Sequence, residues 1–365
     1  VPPLAYPSAA ALMNTLARSL CPDLGLAPLP PPTVPPPLPE ATVANEIRAV
    51  WNPLPTARHP RGWRGLLDQL AARRVNTLFI HWQSAATPLY THPGRRASVD
   101  TLEEALAAAG RHQTALHAWG TCWRLEGAAP ALITRLTRED RLMRDAAGNT
   151  LPWLCPSLPE NRALLIDSLR TLARRGVAGI HLDYVRYPET TGCYAPATRK
   201  AFETARGQPV AAWPADVLPG GALAAPFAEF RRATLTAFVR ELRAALRDVT
   251  PGVALSAAVF PTPAAAAERG QEWPLWLREG LIDFACPMIY TENPSDFSVW
   301  LTECLAVAPA EKLVIGIGSG ADESQLDAAA TAEQISEVRR RGLAGFAFFA
   351  LDDELIGTLL PALFP

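Results

Sequence analysis

Gly176-Val177-Ala178-Gly179-Ile180-His181-Leu182-Asp183-Tyr184-Val185-Arg186-Tyr187-Pro188 is the stretch that decides the fold. Its first half is a short apolar run of the kind that forms a buried strand, and Pro188, which has no N–H to give to a ladder, stops the pairing. The polar cluster His181, Asp183 and Arg186 therefore stands at the C-terminal end of a strand. In α/β architectures ligands bind there, because the loops leaving that face vary over a packed scaffold. Side chains alternate along a strand, so His181 and Asp183 point the same way, into the mouth of a barrel, and Tyr184 points to the surrounding layer.

Working outward, similar runs recur at Ile47-Trp51, Thr77-Trp82, Thr114-Trp119, Ala254-Phe260, Phe284-Tyr290, Leu313-Ile317 and Gly345-Leu351. Helix-period segments separate them at Trp63-Arg73, Thr101-Ala109, Arg162-Arg174, Phe227-Arg247, Trp273-Arg278, Phe297-Cys304 and Thr331-Arg340. Gly110, Gly176 and Gly342 suit left-handed helix caps. With the opening stretch as the fourth strand, the pattern predicts an α/β fold, a (β/α)8 TIM barrel over 45–365. Residues 1–44 read as an N-terminal extension, with a short helix over Ala9–Leu20 and a proline-rich, extended connector over Pro28–Pro39. The stretch Thr190–Pro226 reads as an extended excursion that covers the barrel's top.

The composition is that of an ordinary globular protein: 365 residues, 49% hydrophobic and 19% charged, with a formal net charge of -2. Such a charge gives no general basic field for nucleic acid, and the Arg pairs and the 339–341 triplet read as solvated helix faces. No apolar run reaches the roughly 18 residues that a membrane span needs. Six cysteines lack CxxC or Cys/His spacing, which argues against a structural zinc site. One disulfide among Cys122, Cys155 and Cys193 stays open, and Cys286 reads as a buried thiol.

The strand ends carry Trp51-Asn52, His81-Trp82, His117 and Trp119, then Glu126 on a loop, His181, Asp183 and Arg186, Tyr290 through Glu292, and finally Asp352-Asp353-Glu354. Indoles stack on the apolar faces of sugars and flanking carboxylates do acid/base work on a glycosidic bond, so this inventory fits a carbohydrate site. Each member has a plainer reading. The tryptophans can cap the barrel core, His117 and His181 can be satisfied core groups, and Asp352 can start a helix. Arg186 can hold Asp183 ionised. Asp283 precedes its strand and belongs to the bottom face. Asp183 and Glu292, ending strands four and six, remain the pair expected to flank one bond, as nucleophile and acid/base or as acid and base.

At these residues the chain resembles glycosyl-hydrolase-like family 10. The resemblance rests on Ile47-Arg48-Ala49-Val50-Trp51, Leu116-His117-Ala118-Trp119 and Trp153-Leu154-Cys155-Pro156-Ser157 with Asn161 and Arg162. It also rests on the fourth-strand block, Asp283-Phe284-Ala285-Cys286-Pro287-Met288-Ile289-Tyr290 and Gly345-Phe346-Ala347-Phe348-Phe349. Cys155 stands where many members carry Asp. The resemblance implies a bacterial TIM-barrel glycoside hydrolase acting on a polysaccharide, with relatives that cleave denuded peptidoglycan strands, and a strand-four carboxylate, here Asp183, in its site. It implies no metal or organic cofactor. An exported location, periplasmic or extracellular, follows from the family's habit together with the proline-rich entry. The expected substrate-binding set is Trp51, Asn52, His81, Trp82, His117, Trp119, His181, Arg186, Tyr290 and Asp352, with Asp183 and Glu292 catalytic. Two rivals remain: a carbohydrate-binding barrel without a competent acid pair, and a metal-dependent polysaccharide deacetylase using His81, His117, His181 and Asp183.

Overall fold

Strict alternation within eight short strands builds the architecture. The computed structural model describes residues 38, 45–53, 62–83, 97–125, 127–188 and 192–365. In chain order the strands are β1 (Ile47–Asn52), β2 (Thr77–Gln83), β3 (Ala115–Thr121), β4 (Leu142–Arg144), β5 (Thr150–Leu154), β6 (Gly179–Asp183), β7 (Ala254–Val259), β8 (Phe284–Ile289), β9 (Val314–Gly318) and β10 (Gly345–Phe349). All but β4 and β5 form a closed parallel barrel in the order β1-β10-β9-β8-β7-β6-β3-β2. Ala49, Trp51, Phe79, Trp119, Phe284, Cys286 and Ala347 fill its interior, while Val50, Leu78, Ile80, Ile180 and Leu182 face the helices. Each strand is thus buried on both faces, which is why these runs read as nearly continuous apolar sequence.

The helices are α1 (Gly62–Ala72), α2 (Ala97–His112), α3 (Pro130–Arg138), α4 (Pro159–Ala173), α5 (Pro196–Arg206), α6 (Ala224–Val249), α7 (Pro263–Glu268), α8 (Trp273–Arg278), α9 (Pro294–Val307) and α10 (Ala328–Arg340). Five of them begin with proline, whose fixed φ and missing N–H suit the first turn. Asp327 caps α10 by accepting from the Ala330 N–H at 2.8 Å. Two features close the barrel at its bottom. Glu46 and Arg339, both buried, pair through two bonds of 2.7 and 2.8 Å. Gly345 lies so close to β1 that a Cβ there would stand 2.0 Å from the Ile47 carbonyl oxygen.

The eight expected strands and the barrel are found. Asp283 is structural, as expected: it accepts from Arg243 and from the Leu255 N–H, each at 2.7 Å, below β8. Three expectations change. Gly110 lies inside α2, and the left-handed residue after that helix is Gln113, with φ 55°. The β4–β5 hairpin is additional, and Arg124 pairs beside it with Trp153. Thr190–Pro226, where described, is not extended: α5 and a turn at Ala215–Val217 pack Tyr194, Phe202, Val210, Val217 and Phe227 into a small core of their own. Aromatic residues spaced through a Pro- and Gly-rich stretch supply that core. The expected extension over 1–44 and its connector lie outside the described residues, apart from Leu38, Glu126 lies outside them too, and no helix among the described residues is long and apolar enough to cross a membrane.

Candidate functional site

β6 ends at Asp183 because Tyr184 turns the chain into the left-handed region, with φ 48°. An aromatic residue rarely adopts this conformation, and it costs on the order of 1–3 kcal/mol unless its surroundings impose it. The turn lets the Tyr184 N–H donate to Asp183 Oδ1 at 2.6 Å, while the Trp119 indole donates to Oδ2 at 3.1 Å. The Asp183 carbonyl accepts from the Cys122 N–H at 2.8 Å and fixes the strand end to β3. Enclosure of the carboxyl raises the Asp183 pKa above the usual carboxylate range. That burial outweighs the opposing pull of the Tyr184 N–H, Arg186, Trp119 and Arg124. Asp183 is therefore a carboxylic acid that holds its proton more tightly than usual, with Arg186 pulling the other way, towards the charged form.

Around it stand Tyr290, whose buried hydroxyl is kept protonated by desolvation first and then by the neighbouring Asp183 charge, and Phe349, stacked on Tyr290 at 5.4 Å. Phe349 also meets Trp51 and Trp119 edge-on, at 6.1 and 6.4 Å. Trp51 and Trp119 themselves are only 1% and 6% exposed, so they are walls and floor beneath the mouth. Trp82 points out of the barrel against Trp63 of α1, 6.5 Å away, because it falls in the opposite phase from Phe79 and His81. The aromatic faces within reach of solvent are instead Tyr184, Phe260, Tyr290 and Phe349. His81 stands at the mouth, bonded to Thr121 Oγ1 at 3.0 Å and edge-on to Trp119.

The other expected site residues lie elsewhere. His181 is fully buried: Trp51 Nε1 donates to its Nε2 at 2.9 Å, its Nδ1 faces Ser256 Oγ at 2.9 Å, and Phe79 stacks on it at 4.1 Å. Burial pushes its pKa well below the usual imidazole value, so it is a neutral core group. His117 lies in the same interior, between Phe79 and Phe284, with its pKa lowered to about 4 by burial. Asn52 is buried in the phase opposite Trp51. Asp352 is exposed and accepts from the Leu355 N–H at 2.7 Å, which makes it a helix cap. Glu292 is exposed, and its Oε1 accepts from the Gln325 N–H at 2.9 Å. Among the described residues, no contact joins it to Asp183.

Arg186, expected at the site, is surrounded by residues outside the expected set, Arg124, Trp153, Phe260 and Arg269 among them. Arg186 packs against Tyr184, Trp153 and Phe260, at 4.6, 5.6 and 5.1 Å from the ring centres. Arg124 and Arg269 join it from other loops. Trp153 lay in a quoted motif, and Phe260 ended an expected strand. Nothing in the local sequence marked Arg269. Among the described residues, no group of three or more His, Cys, Asp or Glu is placed to hold a metal, and both His181 nitrogens are already engaged. The deacetylase reading thereby loses its ligands.

Several solved structures share the barrel. The catalytic domain of a beta-amylase from Paenibacillus polymyxa is 13% identical, with a TM-score of 0.60 over 87% of this chain and 95% of that one. A GH18 chitinase from Cycas revoluta in complex with (GlcNAc)3 is 15% identical, with a TM-score of 0.54 over 87% and 98%. A beta-galactosidase from Bacillus circulans sp. alkalophilus is 12% identical, with a TM-score of 0.62 over 84% of this chain and 50% of that one. At such identities the likeness is one of fold. No curated protein sequence matches the chain. The model of the family Glycosyl hydrolase-like 10 matches residues 64–334, well over half of the sequence and all of the barrel between β1 and β10, and the chain belongs to that family.

Proposed function

We propose that the protein hydrolyses O-glycosidic bonds in a glycan, with Asp183 giving its proton to the leaving oxygen. One observation carries this: a carboxyl at the mouth end of the fourth barrel strand, held by Trp119 and the Tyr184 N–H, whose enclosure keeps it protonated to higher pH than a free carboxylate. A general acid needs that property. Water supplies the hydroxyl to the anomeric carbon, and its remaining proton restores the acid. Of the roles expected for Asp183, nucleophile or acid, burial favours the acid, because it opposes a standing negative charge there. The reading also leaves Glu292 outside the chemistry, as the anchor of Gln325.

The bond from the Gln325 N–H to the Glu292 carboxylate favours one further reading, a glycan-binding barrel without turnover. A single screen separates the two. Wild type and Asp183→Asn are incubated with chitooligosaccharides, maltooligosaccharides and peptidoglycan strands, and released reducing ends and binding are both measured. Hydrolysis by wild type, abolished in Asp183→Asn with binding retained, supports the enzyme. Binding by both with no release supports the binding protein, and full activity in Asp183→Asn removes Asp183 from the reaction.

A further inference from the structure

Two buried thiols meet where the β4–β5 hairpin touches the segment that follows β6. The Cys193 thiol donates to Cys155 Sγ at 3.7 Å, the Thr198 hydroxyl donates to Cys193 Sγ at 3.2 Å, and Cys155 Sγ lies 3.3 Å from Thr198 Oγ1. Both cysteines are fully enclosed. Their backbones hang from the two ends of β4: the Cys155 N–H donates to the Arg141 carbonyl at 2.9 Å, and the Tyr194 N–H to the Arg144 carbonyl at 2.8 Å. The Asn161 amide also donates to the Cys155 carbonyl at 2.9 Å. Backbone bonds as well as packing therefore set the spacing of the two sulfurs.

The other described cysteines have different neighbours. Cys122 approaches the Gly120 carbonyl, Cys286 packs inside the barrel, and Cys304 donates to the Pro261 carbonyl. A metal does not account for the pair, because a structural zinc takes four ligands and no group of three or more His, Cys, Asp or Glu gathers among the described residues. Burial raises the Cys193 thiol, but hydrogen bonds with Cys155, Thr198 and the Ala195 backbone outweigh it and hold the pKa below the usual cysteine value. The contact with Cys193, and then burial, raises Cys155. One thiol is thus prepared to ionise with the other at hand.

We infer that Cys155 and Cys193 form a reversible disulfide, a redox-sensitive clasp between the β4–β5 hairpin and the segment that carries α5. The sulfurs have to close from 3.7 Å to about 2.05 Å. The oxidant is a small disulfide such as oxidised glutathione. The Cys193 thiolate attacks one glutathione sulfur and expels the other as thiolate, and the Cys155 thiolate then attacks the Cys193 sulfur of the mixed disulfide and expels the second. The cysteines give up two electrons and two protons, and the glutathione disulfide takes them up as two thiols. The bond joins residues 38 positions apart, and a cross-link over such a length stabilises a fold by limiting the unfolded chain. It also fixes the hairpin that carries Trp153, the ring 5.6 Å from Arg186. The clasp holds whether or not the barrel turns over a glycan.

For the test, the reduced full chain is treated with oxidised glutathione, once folded and once while refolding from urea, so that enclosure of the thiols does not limit the reaction. Free thiols are then alkylated, the protein is digested without reductant, and the peptides are identified by mass. A cross-linked Cys155–Cys193 peptide pair is expected as the main disulfide, and reductant should separate it. Its formation should raise the urea midpoint of unfolding by about 1 M, a shift absent from Cys155→Ala and Cys193→Ala. Alkylation of both cysteines after both treatments overturns the clasp, as does a disulfide confined to another pair of the six cysteines. A cross-linked chain with an unchanged midpoint overturns it too, because the bond would then hold nothing together. Should either variant fail to fold, the wild-type mapping and midpoint decide the matter.

Discussion

The Trp119 indole N–H donates to Asp183 Oδ2 at 3.1 Å, so a strand-three side chain steadies the charged form of a strand-four acid that burial drives towards its neutral form. Removing the donor takes away part of what opposes burial. In Trp119→Phe the pKa of Asp183 is expected to rise further, because a hydrogen bond to its charged form is lost. If Asp183 is the proton donor, activity falls as pH rises through its pKa, so this alkaline limb moves to higher pH in the variant. A pH–rate profile checks it, and an unmoved limb assigns proton donation to another group.

The interior histidines make stability depend on pH in the opposite sense from Asp183. His117 stays neutral in the fold down to about pH 4, whereas an unfolded chain protonates it near 6.5. Between those values the unfolded state binds more protons, so His117's contribution is complete above the upper value and is lost as pH falls to the lower one. The loss amounts to about 3 kcal/mol. Asp183, with its raised pKa, contributes stability at low pH that is lost as pH rises through its folded value. The two oppose one another, so the difference between wild type and His117→Gln isolates the histidine. Urea unfolding from pH 4 to 7 is expected to show a shallower loss on the acid side in the variant; parallel curves would mean that His117 protonates in the folded state.

The barrel was legible in the sequence because its strands, buried on both faces, announce themselves as apolar runs, and glycines such as Gly176 and Gly342 end the helices between them. Asp183 was legible for the same reason: alternation along β6 fixes its direction. Which polar residues reach solvent was not. His181 shares the phase of Asp183 but lies two residues deeper, and the difference between mouth and core is a matter of depth that strand pattern does not encode. Glu292 follows its strand in the expected place, yet the loop after β9 takes its carboxylate through the Gln325 N–H, a contact between segments 33 residues apart. Arg269 likewise reaches Arg186 through Phe260 and the Tyr187–Arg269 backbone bond, contacts between segments far apart in the chain.

Gly179 explains why the opening stretch carries a second glycine. A Cβ there would stand 2.2 Å from His117 Nδ1, a ring already wedged between Phe79 and Phe284. Gly179→Ala is expected to cost about 1–3 kcal/mol through overpacking. The cost should shrink when His117 is cut back in the double variant Gly179→Ala/His117→Ala, a positive coupling readable from denaturant midpoints. An alanine variant as stable as wild type would show that the ring has room to move.

Glu292 gives the sharpest division between one acid and two. Its exposed carboxylate holds the Gln325 N–H, and glutamine keeps an oxygen able to accept the same bond. Glu292→Gln should therefore fold normally and lower the rate of glycan hydrolysis by less than about tenfold, because an anchored loop is perturbed while no proton or nucleophile is removed. A carboxylate acting as base or nucleophile contributes a factor of about 100 or more, and the amide cannot replace it. Measuring kcat on the best substrate from the glycan screen distinguishes these outcomes. A loss of several orders of magnitude in Glu292→Gln, equal to that of Asp183→Asn, would mean that the loop after β9 releases Glu292 on binding and that the two acids act together after all.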